Sequence, residues 1–234
     1  MLEAAPLLLS AATIGVLHTA LGPDHTLPFI ALARARHWSR QRTAAITALC
    51  GLAHVGSSAL LGLVGVALGS AVFHLERVEA ARGAIAASLM LGFGIAYAAW
   101  GVRRALAGDG HAHTHAHADG TAHEHPHRHE REHVHPHATA ARPATTWTLF
   151  LIFGFGPCEP LIPLLLYPAA TNGVGQAALV IGVFAAATVA TMLAVVFAAL
   201  ALAPRRPWTR LARWEHALAG LVVAACGAAM RAGL

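Results

Sequence analysis

Lysine is absent from the 234 residues, and charged residues of every kind make up only 12%. A soluble domain carries about 25%, so the shortage excludes an ordinary water-facing globule and marks a chain dissolved largely in lipid. Every basic residue is an arginine, and the net charge of +5 reflects loop arginines set against few acids. No basic patch with interleaved aromatics occurs, so a nucleic-acid partner is not expected. The three cysteines, Cys50, Cys158 and Cys226, are an odd number and each lies in an apolar segment, which argues against a disulfide framework. No P-loop is present, so any driving force must come from an ion gradient, the membrane potential or a partner. The chain reads as something other than an enzyme. The first segment lacks a basic n-region, and His18 and Asp24 interrupt its apolar run, so it is expected to be retained and not cleaved as a signal peptide.

What the chain has in abundance is apolar sequence, 56% of its residues. A membrane-crossing helix needs about 20 such residues. Six segments qualify, at 5–33, 43–73, 81–103, 146–170, 174–203 and 211–231. Arginines crowd alternate connections: Arg34, Arg36, Arg40 and Arg42 in the first, Arg103, Arg104 and Arg142 at the ends of the third, Arg205, Arg206, Arg210 and Arg213 in the fifth. The positive-inside rule then puts both termini outside an inner membrane and the third connection in the cytoplasm. Arg77 and Arg82, in the second connection, are offset by Glu76 and Glu79.

The two halves resemble each other. ALGPDHTLPFIAL in the first segment aligns with GFGPCEPLIPLLL in the fourth, pairing Gly22-Pro23 with Gly156-Pro157, Leu27 with Leu161 and Leu32 with Leu166. Three spans per half make the halves enter the membrane in opposite directions, the pattern of an inverted repeat with sites at broken helices near the midplane. The expected architecture is all-α: a polytopic bundle of six transmembrane helices in a 3+3 inverted repeat. Residues 1–104 form one repeat and 146–234 the other, joined by a disordered 105–145 segment.

Ionisable residues stand beside the two breaks. Pro23 frees backbone groups within a span, and Asp24 and His25 follow it; in the second half Cys158 and Glu159 follow Pro157. His18 lies two turns before His25, on the same face of an unbroken helix. A charge at mid-bilayer costs at least about 2.5–3.5 kcal/mol, a cost that a cation or a proton would offset. Hydrogen-bonded pairing between helices is the plainer explanation of such residues. His54, among Gly51, Gly56, Ser57 and Ser58, fits close packing as well as ligation. Cys50 and Cys226 read as apolar filler; Cys158 gains interest from Glu159 beside it. Imidazole, carboxylate and one thiolate suit a late first-row ion better than Mg²⁺ or Ca²⁺. The candidate metal ligands are therefore His18, Asp24, His25, His54, Cys158 and Glu159.

Eleven of the seventeen histidines crowd the polar third connection: His111, His113, His115, His117, His123, His125, His127, His129, His133, His135 and His137. Imidazole is the commonest metal ligand, so this tract reads as an auxiliary metal-binding segment that loses its ions as pH falls through roughly 6.5. A polar low-complexity tract is also simply a linker by composition.

His18-Thr-Ala-Leu-Gly-Pro-Asp24-His25 resembles the first-helix signature of the nickel/cobalt transporter families. Gly156-Pro-Cys-Glu-Pro-Leu-Ile-Pro163 resembles the second-half motif of the related urease-accessory-type and sulfite-exporter-type six-span membrane proteins. The resemblance implies transport of Ni²⁺ or Co²⁺, with Zn²⁺ also fitting the ligand types, the ion being substrate and no cofactor being permanently bound. Ligands are implied at His18, Asp24 and His25. Implied partners are the bilayer and the metal ion, with a metallochaperone or a second copy compatible. Two other classes share these letters. An exporter of a sulfur oxyanion or organic anion would want a central arginine, and none is expected deep in a span. A transmembrane thiol electron carrier would want a cysteine from each half, yet the counterpart of Cys158 is Asp24.

Overall fold

The computed structural model describes residues 4–69, 72–107, 110–116, 122–128, 142–171, 173–203 and 211–233. Helices dominate: α1 (Ala4–Leu21), α2 (Leu27–Ala35), α3 (Arg40–Ala67), α4 (Val72–Ala107), α5 (Arg142–Phe155), α6 (Leu161–Thr171), α7 (Val174–Leu202) and α8 (Glu215–Ala232). Leu21, Leu68 and Leu202 are 78%, 76% and 86% exposed. Large apolar side chains facing outward are tolerated where the surroundings are lipid, so the chain is a membrane protein with several apolar helices. Three straight helices, α3, most of α4 and α7, are long and apolar enough to cross a bilayer. The α1–α2 pair, bent by 83°, makes a fourth candidate span. The expected six-span 3+3 repeat is not established by this count, because the fourth segment is split into the shorter α5 and α6, and α8, which carries Glu215, His216 and Arg231, is not apolar enough to qualify.

The polar connection contains a departure from expectation. Gly110–Ala116 (β1) and Ala122–Arg128 (β2) pair as an antiparallel hairpin, His113 opposite His125. The reading of 105–145 as wholly without regular structure weighs low complexity above the strict alternation of HAHTHA, which is a strand-like period of two. His117, His129, His133, His135 and His137 lie outside the described residues, as do Arg205, Arg206 and Arg210.

Helix pairing cuts across the two sequence halves. α4 packs along α8, and α1 along α7, so 1–104 and 146–234 interleave and are not two separate bodies. The α4–α8 seam is the closest. A Cβ on Gly94 would run into the Ala224 nitrogen, one on Gly101 into that of Ala217, and one on Gly220 into that of Ala98. Rising numbers on α4 meet falling numbers on α8, so the helices are antiparallel and in near backbone contact. Small residues allow that approach in a medium where dispersion and close packing drive helix association.

Two apolar clusters fill the interior. One joins Phe29, Leu32, Cys50, Met90, Leu149, Met192 and Val223; the other joins Ala11, Val55, Cys158, Leu161, Leu165 and Phe184. On α3, His54 stands between Cys50 of the first cluster and Val55 of the second.

Candidate functional site

The bend between α1 and α2 is built by Gly22 and the 3-10 turn Pro23–His25. Proline at the start of the turn has no N–H to lose. The His25 N–H donates to the Gly22 carbonyl at 3.1 Å and the Thr26 N–H to that of Pro23 at 3.3 Å. The turn therefore supplies partners for the His25 and Thr26 N–H groups from its own backbone, as a break within a span requires. It drives His25 into the interior, 3% exposed, and leaves Asp24 half-buried beside it.

Three imidazoles converge there. His18 comes from α1, His25 from the turn and His54 from α3, with one ligand atom of each within 4.8 Å of the others. The Nε2 atoms of His25 and His54 are 3.3 Å apart. Around a tetrahedral ion with metal–nitrogen bonds of about 2.0–2.1 Å, adjacent ligand nitrogens lie about 3.3–3.4 Å apart. Two of the three nitrogens thus already stand at ligating separation, with a ligand atom of the third within 4.8 Å. The other nitrogen of His25, Nδ1, lies 3.1 Å from Asp24 Oδ1. With Asp24 ionised, Nδ1–H donates to the carboxylate and leaves Nε2 as the lone-pair donor. This is the carboxylate–histidine arrangement that orients a metal-binding imidazole. His18 Nε2 is buried without a hydrogen-bond partner, a cost that an ion or a bound water at the cluster would relieve, and His54 Nδ1, on the side of its ring toward Gly156, is likewise unpartnered.

Two glycines make room for these rings. A Cβ at Gly22 would fall 2.5 Å from His25 Nδ1 and 2.9 Å from Asp24 Oδ1, and one at Gly156 would fall 3.1 Å from His54 Nδ1. Gly22 and Gly156 are the residues matched between the halves, and each is small so that an imidazole can lie against the broken helix. Gly22 has φ −83°, which alanine adopts freely, so the obstruction in Gly22→Ala is steric alone. That variant is expected to keep its helical content but bind Zn²⁺ about 10–100-fold more weakly, the usual effect of disturbing a ligand's support. Titration calorimetry on the chain without 109–138 checks it, and unchanged affinity would show that the His25–Asp24 pair is not needed.

A cavity of ≈ 760 Å³ collects residues from both breaks: His18, Asp24 and His25 from the first, Pro157, Glu159 and Pro160 from the second. Glu159 is exposed there. Cys158 is placed differently. It is 0% exposed within the second apolar cluster, and its N–H is 3.2 Å from Ser58 Oγ and 3.3 Å from Glu79 Oε2. Cys50 and Cys226 belong to the other cluster, and all three cysteines are free. Of the six candidate ligands, the fold thus joins His18, His25 and His54, sets Asp24 beside His25, places Glu159 in the lining of the same cavity and withdraws Cys158 into apolar packing.

A second polar group lay beyond the sequence reading. Glu79 is 0% exposed and paired with Arg82, whose guanidinium also donates to Ser57 Oγ at 2.7 Å and the Gly154 carbonyl at 3.1 Å. The expected connection at 74–80 is in fact helix, because α4 begins at Val72. This corrects the expectation that no arginine lies within a span. The spacing of Glu79 and Arg82, three apart on one helix face, was the available signal. Since Glu79 neutralises Arg82, the correction supplies no unpaired cation for an anionic substrate.

Comparison with known families matches the chain to the model described as the cytochrome C biogenesis protein transmembrane region, over residues 26–229. No curated protein matches the chain. No solved structure matches it. The match overturns the resemblance to the nickel/cobalt transporter families and their urease-accessory-type and sulfite-exporter-type relatives. That resemblance rested on short motifs, whereas the match spans nearly the whole chain. Among the functional classes it sides with the thiol electron carrier more than with the metal transporter. Its span begins just after His25, so of the three clustered histidines only His54 lies within it.

Proposed function

The chain belongs to the family of the cytochrome C biogenesis protein transmembrane region, and from that premise we propose that it is a transmembrane carrier whose cargo is a divalent transition-metal ion held by His18, His25 and His54. The observation that carries this reading is the convergence of three imidazoles, two at ligating separation and one backed by a carboxylate. Neutral imidazoles select ions of the zinc type over Mg²⁺ or Ca²⁺. Asp24 holds His25, and Glu159 lines the same cavity, as does Arg231, so the negative charge that draws in a dication lies with Asp24 and Glu159. The cytoplasmic histidine-rich segment gathers ions for the site, and both termini lie on the other side of an inner membrane. Exposure of the site to each side in turn works through the two breaks, α1–α2 and α5–α6, and not through rocking of one sequence half against the other.

The family favours a second reading, transfer of thiol electron equivalents, with Cys158 at the second break as the reactive sulfur. Moving two electrons through a disulfide needs two sulfurs. With Cys50 and Cys226 in the other cluster, Cys158 would have to act by exchange with a partner protein's disulfide, its thiolate attacking one sulfur, the partner's S–S bond breaking and the other sulfur leaving as thiolate. One experiment separates the readings: Zn²⁺ uptake into vesicles containing the chain, compared with Cys158→Ser and His25→Ala. Cys158→Ser is expected to transport normally and His25→Ala to lose transport. The reverse result, with exchange onto the partner disulfide lost in Cys158→Ser, would replace the metal reading by the thiol one.

A further inference from the structure

A second cavity, of ≈ 410 Å³, lies where α3 begins and α7 ends, lined by Trp38, Arg40, Thr43, Phe197, Leu200 and Ala201. None of these residues belongs to the histidine site. The α7 side of the groove is apolar, from Phe197, Leu200 and Ala201. The α3 side is basic and aromatic: Arg40 is exposed, and the Arg42 guanidinium, outside the lining itself, stands over the ring of the lining residue Trp38 at 5.6 Å. Polar atoms at the base are already used. Thr43 Oγ1 donates to the Ser39 carbonyl at 3.0 Å, and Ser39 Oγ accepts from the Arg42 N–H at 3.2 Å. The groove therefore offers guanidinium charge at one end and apolar wall along its length.

Its level in the bilayer fits that division. α3 and α7 are both long enough to cross, so the point where one starts and the other stops is a membrane boundary, where tryptophan and arginine gather. We propose that this groove binds an anionic phospholipid, one acyl chain along Phe197, Leu200 and Ala201 and the phosphate on Arg40 and Arg42. Guanidinium–phosphate pairing is the strong, charge-assisted kind, and juxtamembrane arginines attract anionic headgroups. A zwitterionic lipid would fill the same wall but give its phosphate a competing ammonium.

The test uses the full chain, delipidated in detergent and titrated with phosphatidylglycerol or phosphatidylcholine of identical acyl chains, bound lipid being counted by native mass spectrometry. The expected result is a retained phosphatidylglycerol with about tenfold preference over phosphatidylcholine. Arg40→Gln with Arg42→Gln should abolish the preference, and Ala201→Trp should reduce binding of both lipids by filling the groove. Glycerol phosphate without acyl chains should not compete. Equal retention of the two lipids, a preference unchanged in the double glutamine variant, or full competition by glycerol phosphate would each overturn the proposal. Should Ala201→Trp fail to fold, the double glutamine variant decides the question alone, since its changes are in long side chains at the helix start.

Discussion

His54→Ala, in the chain lacking 109–138, is expected to weaken Zn²⁺ binding by more than about 100-fold, while Asp24→Asn weakens it by about 10–100-fold. The order follows from geometry. His54 presents its Nε2 3.3 Å from that of His25, so its removal takes away a ligand and leaves a pair. Asp24 touches His25 at the far nitrogen, so Asp24→Asn leaves three ligands and loosens one of them. Removing the histidine-rich segment is necessary because it would mask the loss with its own ions. Titration calorimetry in detergent, with circular dichroism as the check on folding, distinguishes the two effects. An Asp24→Asn defect as large as that of His54→Ala would show that the carboxylate itself ligates the ion. Intact binding in His54→Ala would remove the three-histidine site from consideration.

Arg82→Ala is expected to cost about 3–5 kcal/mol of stability, because it strands the fully buried Glu79 carboxylate without its counter-charge. The loss should be larger than that of Glu79→Gln, which keeps an acceptor for the Cys158 N–H and removes the charge. Arg82→Met combined with Glu79→Gln should recover most of the stability, since buried pairs exchanged together for neutral groups are often nearly neutral. Thermal unfolding in a fixed detergent measures all three. Equal, small losses would mean that Glu79 is protonated in the native protein and that the pair carries no charge.

The parts of the site legible in the sequence were those that lipid penalises. Asp24 and His25 next to a proline could be singled out because mid-membrane polarity and a broken helix rarely coincide without cause. The doubling of Gly-Pro was legible too, although only the structure shows what it is for: Gly22 and Gly156 each leave space for an imidazole. His54 could not be assigned from its surroundings, since small neighbours serve packing and ligation alike, and it took the fold to bring α3 against the bend. Cys158 stands apart from the histidine cluster, because adjacency to Glu159 in sequence says nothing of direction. The two side chains leave the break on opposite sides, one into the core and one into the cavity. Glu79 and Arg82 were read as loop charges that cancel, because a helix start cannot be fixed closely when apolar residues flank it on both sides. Family identity was the least legible, for short motifs of Gly, Pro and a few polar letters recur wherever a membrane helix is broken.

The glycine seam between α4 and α8 also has a meaning in time. α4 ends at Ala107 and α8 begins at Glu215, and synthesis proceeds from the N-terminus at about 5–20 residues per second. For the seconds between them, α4 waits in the bilayer with the bare face of Gly94 and Gly101 turned to lipid or to whatever helix comes near. Insertion can therefore begin in order, but the bundle cannot close until α8 arrives, and a ribosome stalled before Glu215 would leave a nascent chain whose tightest joint has only one side.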